Sequence, residues 1–128
     1  MLFRSHFGPG THGSTFGGNP LAMAAASAVC DVIFNDAFLE QIDTSAKYLS
    51  EALQAHIAPL ENVIDVRQKG LMVGIEINDK ALDVVKELLK SGLIVLAAGE
   101  NVVRLLPPLT ISKADIDQAV ALMKDVLS

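Results

Sequence analysis

The stretch "NVIDVRQKGLMVGIEIND", Asn62 to Asp79, changes the hydrophobic period of the chain from that of a helix to that of a strand. Ile64 and Val66 alternate with Asp65 and Arg67, and then Leu71, Val73, Ile75 and Ile77 alternate with Met72, Gly74 and Glu76. A period of two sorts side chains onto the two faces of a sheet, one packed and one open. Lys69 and Gly70 stand between the two runs as a turn signal, so the stretch reads as two strands, most simply a hairpin.

Helices flank this pair. Before it, "NDAFLEQIDTSAKYLSEALQAHIAPLE" places Phe38, Ile42, Ala46, Leu49, Leu53 and Ile57 on one helical stripe that stops ahead of Pro59. After it, "DKALDVVKELLKSG" returns to helical spacing through Leu82, Val85 and Leu89, with Gly92 at the stop. Two short apolar runs follow in "LIVLAAGENVVRLLPPLTIS", separated by Gly99 and closed by Pro107-Pro108. The last helix lies in "SKADIDQAVALMKDVLS", where Ser112 and Asp115 have the spacing of a capping box and Ile116, Val120, Met123 and Leu127 form the buried stripe. The order loop, two helices, two strands, helix, two strands, helix predicts an α+β fold: a small, mainly antiparallel sheet with helices on one face.

The 128 residues are enough for one core, and 51 % of them are apolar. No apolar run reaches the length of a membrane span. A formal charge of -5 with scattered Lys and Arg offers no footprint for nucleic acid or an anionic membrane, so neither is expected as a partner. Cys30 is the single cysteine, which excludes an internal disulfide and argues against a cysteine-based metal site. Its place in an apolar helix predicts inert packing. The opening "MLFRSHFGPG" has no apolar core of signal-peptide length, so no export is expected.

Upstream of the helices, "GTHGSTFGGNP" (Gly10 to Pro20) runs straight into "LAMAAASAVCDVIF". Its glycines let the backbone approach a ligand closely, and Thr11, Ser14 and Thr15 bring hydroxyl donors without charge, a suitable cradle for an anion at a helix start. The pattern is neither a P-loop nor a dinucleotide fingerprint, because no lysine follows the last glycine. Asn19 is the expected N-cap, with Pro20 at the first helical position. The helix from about Pro20 to Phe34 is apolar on nearly every side, the mark of a helix buried all round. A chain of this size has too little material to surround it, which predicts that a packing partner lies outside these residues.

The wording of three ordered blocks, "GTHGSTFGGNPLAMAAA", "VRQKGLMVGIEI" and "VVRLLPPLTISKADIDQAVALMKDVL", resembles the class III pyridoxal-phosphate-dependent aminotransferases, and the loop is most similar to the branch acting on acetylornithine. The resemblance implies the small C-terminal domain of a fold-type I transferase over residues 58–128, linking helices over 20–57, and a loop over 1–19 on the side of the large domain and dimer interface. It implies a cytoplasmic homodimer, with amino-acid and 2-oxo-acid substrates and pyridoxal 5′-phosphate as cofactor. Thr15, with Ser14 beside it, would reach the cofactor phosphate in the partner's site, and Arg104 would hold a substrate carboxylate. An arginine's planar fork suits that task.

The same resemblance implies that the lysine carrying the cofactor, and the acid serving its ring nitrogen, precede the loop. Lys47, Lys69, Lys80, Lys86, Lys90, Lys113 and Lys124 match neither, so no catalytic residue and no metal ligand is expected in these residues, and they are expected to be inactive alone. Transaminases of ornithine, succinylornithine, succinyldiaminopimelate or 4-aminobutyrate are alternatives within the family. A small non-catalytic module that binds an anion or a protein partner is the alternative outside it. Arg104 has a structural ion pair as its competing role. His12 reads as a loop hydrogen-bonding residue, His56 as a favourable charge at a helix end, and Glu76 as solvated.

Overall fold

The computed structural model describes residues 13–128. They divide into two compact units, with the boundary between Phe38 and Leu39. His12 and Thr11 lie outside the described residues.

In the first unit, helix α1 (Pro20–Ile33) starts as the sequence predicts: the Asn19 side chain accepts from the Ala22 N–H at 2.9 Å, and Pro20 follows at the first helical position. None of its residues is buried. The expectation of a helix buried all round is therefore not met by these residues, and Cys30 is exposed rather than packed. Leu21, Met23, Val29 and Val32 stand open on the helix and Phe34 beyond its end, so the apolar surface that predicted burial has no cover among the described residues.

The second unit opens with most of helix α2 (Asp36–His56), whose first N–H groups are met by the Asn35 side chain at Ala37 and Phe38. Strands β1 (Val63–Lys69) and β2 (Met72–Ile77) form the predicted hairpin. Lys69 pairs with Met72 around the loop Gly70-Leu71, and Gly70 takes φ +57°, the left-handed value that a II′ turn reserves for glycine at this position. Helix α3 (Ala81–Lys90), strands β3 (Leu96–Ala97) and β4 (Val102–Leu105) and helix α4 (Lys113–Leu127) complete the unit. The sheet order is β1-β2-β4-β3, and every neighbouring pair is antiparallel.

One face of the sheet carries Val73, Ile75 and Ile77 of β2 and Val103 and Leu105 of β4. Together with Leu49, Leu53 and Ile57 on and just after α2, Val84 and Leu88 of α3, and Ile116, Val120 and Met123 of α4 they make the core. The α+β layering with helices on one face is as read from the sequence.

Two details differ. In β1 the extra residue Ile64 forms an irregularity between Val63 and Asp65, so Ile64 turns outward at 54 % exposure while Val66 stays half-buried beside the core. A bulge breaks the strict alternation on which the sequence reading rested. In α3 the buried stripe is Ala81, Val84 and Leu88, and not Leu82, Val85 and Leu89; Leu82 and Leu89 are exposed and Val85 is half-buried.

The capping box of α4 is complete. Asp115 N–H donates to Ser112 Oγ at 3.1 Å, and Ser112 N–H and Oγ donate to Asp115 Oδ2 at 3.3 and 2.6 Å. The Ser112 hydroxyl first, and its N–H second, hold the Asp115 carboxyl below the usual value. A carboxyl lowered by folding stabilises the native state above its unfolded pKa of about 3.9, and that contribution is lost as pH falls through the lower folded value. Ser112→Ala should therefore destabilise the fold by about 1 kcal/mol at neutral pH, as loss of an N-cap does. It should also move the Asp115 carboxyl titration upward in carbon-detected NMR, whereas an unmoved titration would mean that the box does not hold the carboxylate.

Candidate functional site

The loop before α1 folds back on itself at Ser14. Gly17 N–H donates to Ser14 Oγ at 3.1 Å and toward Ser14 O at 3.3 Å. The approach is close enough that a Cβ on Gly17 would sit 3.1 Å from Ser14 Cβ, so a side chain there would press Ser14 back by a few tenths of an ångström. With its oxygen engaged as an acceptor, the Ser14 hydroxyl keeps its proton to donate. Thr15, next along, is exposed and makes no hydrogen bond to another described residue. Two hydroxyl donors on a tight, uncharged turn suit the oxygens of a phosphate.

The second candidate lies on the face of the sheet away from the core. Arg67 of β1 pairs in register with Gly74 of β2, Gly74 with Arg104 of β4, and Arg104 with Leu96 of β3. Directly opposed residues of antiparallel strands point to the same face, so these four form one row across all four strands. Neighbouring strands are about 4.8 Å apart, which leaves Arg67 and Arg104 roughly 10 Å apart with Gly74 between them.

The two arginines differ. Arg67 Nη1 donates to Glu76 Oε2 at 2.7 Å and Asp65 Oδ2 at 3.2 Å, and the Glu76 hydrogen bond is the main reason its guanidinium is held above its usual pKa. Glu76, expected to be solvated, has a side chain only 28 % exposed and is committed to this pair. Arg104 is exposed and has neither an ion pair nor a side-chain hydrogen bond among the described residues, so the structural pair that competed with a binding role is not seen there. The outward face thus holds one neutralised arginine and one available arginine.

Thr15 and Arg104 belong to different units of the chain. The register partner Gly74 escaped the sequence reading because it depends on β4 lying beside β2, a non-sequential neighbour. Among the described residues no cluster of three or more His, Cys, Asp or Glu could hold a metal ion, and no single helix is long and apolar enough to cross a membrane.

Residues 3–127 match the family model of aminotransferase class III. An acetylornithine aminotransferase of Listeria innocua is 49 % identical over 123 residues, covering 96 % of this chain and 32 % of that protein. One of Streptococcus mutans is 51 % identical over 124 residues, covering 97 % and 33 %. Among solved structures, the acetylornithine aminotransferase of Elizabethkingia anophelis superposes with a TM-score of 0.79 at 32 % identity, over 97 % of this chain and 34 % of that one. The ornithine aminotransferase of Plasmodium yoelii does so with a TM-score of 0.80 at 31 % identity and the same coverage. The chain belongs to the class III aminotransferase family, and it spans about a third of the length of the curated relatives it matches. Membership implies pyridoxal phosphate as the family's cofactor, and the hydroxyls of Ser14 and Thr15 fit its phosphate in kind.

Proposed function

We propose that these residues serve as the C-terminal part of an acetylornithine aminotransferase, in which Arg104 holds the substrate carboxylate and Thr15, with Ser14, holds the cofactor phosphate. The observation that carries the reading is Arg104 itself: an exposed guanidinium without an ionic partner among the described residues, on a row where the other arginine is already neutralised. The 49 % and 51 % identities to acetylornithine aminotransferases support that branch of the family.

Pyridoxal phosphate, when bound, supplies the electron sink that makes an amino acid's α-proton removable. The part assigned to this chain is binding and orientation. Arg104 presents two parallel N–H donors to a carboxylate and so fixes both the position and the plane of the substrate. The hydroxyls of Thr15 and Ser14 donate to phosphate oxygens without adding charge. The proposed reaction is amino transfer from N2-acetyl-L-ornithine to 2-oxoglutarate, in arginine biosynthesis and in the cytoplasm.

The proposed assembly is a homodimer in which Thr15 serves the partner's site. The uncovered apolar side chains of α1 support a packing surface beyond these residues; a self-contained anion-binding module would cover its first helix with its own chain, and α1 buries no residue. Taken alone, the chain is proposed to be inactive. Its lysines are on the surface, several of them engaged by Glu51, Asp83 and Glu87 or stacked over Tyr48.

The direct test grafts residues 3–127 in place of the matching third of the Listeria innocua acetylornithine aminotransferase. The graft should transaminate acetylornithine and the 128-residue chain should not; a graft that folds and binds pyridoxal phosphate without transaminating would overturn the reading. In the same graft, Thr15→Ala should weaken pyridoxal phosphate binding about 10-fold, as expected for one hydrogen bond to a charged group worth about 1.5 kcal/mol. An absorbance titration of the apoenzyme reads this, and an unchanged affinity would remove Thr15 from the phosphate site.

A further inference from the structure

Gly74 sits in the interior of β2, where a residue without a side chain weakens the strand and packs nothing. Two ordinary reasons for glycine are missing. Its φ is not in the positive region, which in this chain is confined to Gly18, Gly70, Gly92 and Gly99 among the described residues. A Cβ built on it would meet a single neighbour, Val102 Cγ1 at 3.4 Å, an ordinary van der Waals contact. Neither the backbone nor the described surroundings require a glycine there.

The remaining reason is a close approach from outside. That Cβ would project from the outward face, in register between Arg67 and Arg104, and its contact with Val102 confirms the side, since Val102 stands two residues before Arg104 on the same face of β4. Arg67 is occupied by Glu76 and Asp65, so Arg104 is the donor left facing the bare patch. A carboxylate held side-on by Arg104 must rest against something, and over Gly74 the floor is backbone.

We infer that Gly74 is a specificity-determining position, the floor of the carboxylate subsite: its missing side chain lets the substrate's carboxylate lie flat against β2 within reach of Arg104. The inference rests on the carboxylate role proposed for Arg104. A methyl group at position 74 raises the floor by about the thickness of one carbon and pushes the carboxylate out of the plane of the guanidinium fork. Small-to-large changes in a fitted site cost about 1–3 kcal/mol, roughly 5- to 150-fold in binding.

The test uses Gly74→Ala and Gly74→Val in the full-length graft. Each should raise KM for acetylornithine and for 2-oxoglutarate, about 10-fold for alanine and more for valine, with kcat little changed. Both should keep or raise Tm, because alanine and valine suit a strand interior better than glycine. A structural role for Gly74 would instead lower Tm, and that result overturns the inference, as does an unmoved KM. Arg104→Gln, run in parallel, separates two failures. If it leaves KM unmoved, the carboxylate reading falls and takes the inference with it. If it raises KM while Gly74→Ala does not, only the inference falls.

Discussion

Replacing Arg104 with glutamine in the graft should lower kcat/KM about 100-fold while leaving Tm almost unchanged. The two halves of the expectation have separate causes. Arg104 is exposed, and none of the described acids or carbonyls receives a hydrogen bond from its side chain, so its loss strips no internal contact and belongs with surface substitutions worth under about 0.5 kcal/mol. A substrate carboxylate loses a charge-assisted pair, in which each hydrogen bond to a charged group is worth about 1.5–3 kcal/mol. Glutamine keeps one donor and roughly the reach, so the loss measures charge and the second donor. Arg104→Lys should fall between, because an ammonium restores charge without the planar fork. Steady-state kinetics with acetylornithine, beside a thermal melt, decide the matter. A change under about 3-fold at full stability would return Arg104 to the surface, and a parallel loss of Tm would make it structural.

Much of the fold is legible in the sequence because its signals are local. The Gly70 turn, the Asn19 cap and the Ser112–Asp115 box are each written within four residues, and each is found where its chemistry places it. What escapes the sequence is what neighbours decide. Ile64 sits on an irregularity that exists only because β1 pairs with β2 in a particular register. Glu76 looks like an open strand residue until that register brings Arg67 within 2.7 Å. Cys30 and the rest of α1 look buried because apolar helices usually are, yet the described residues give them no cover. The candidate site divides along the same line. Arg104 could be singled out from its apolar strand and the family wording, but Gly74 could not, since β2 and β4 are separated in sequence by α3 and β3.

Helix α3 turns this distinction into a measurement. Its apolar residues come in adjacent pairs, Ala81-Leu82, Val84-Val85 and Leu88-Leu89, so two stripes about 100° apart fit the spacing equally well. Periodicity alone cannot choose between them. The choice is made where α3 packs against β3, β4 and α4, and it buries Leu88 completely while leaving Leu89 57 % exposed. Leu88→Ala should therefore cost about 2–5 kcal/mol, the lost transfer energy plus a cavity that the core closes only in part. For a unit of this size that lowers Tm by about 10 °C or more. Leu89→Ala, one residue away and chemically identical, should stay within about 0.5 kcal/mol and gain slightly from alanine's helix propensity. Paired thermal and urea melts of the two variants read the phase of the helix directly. Equal losses would mean that Leu89 has a buried partner, and a larger loss at Leu89 would reverse the packing described for α3.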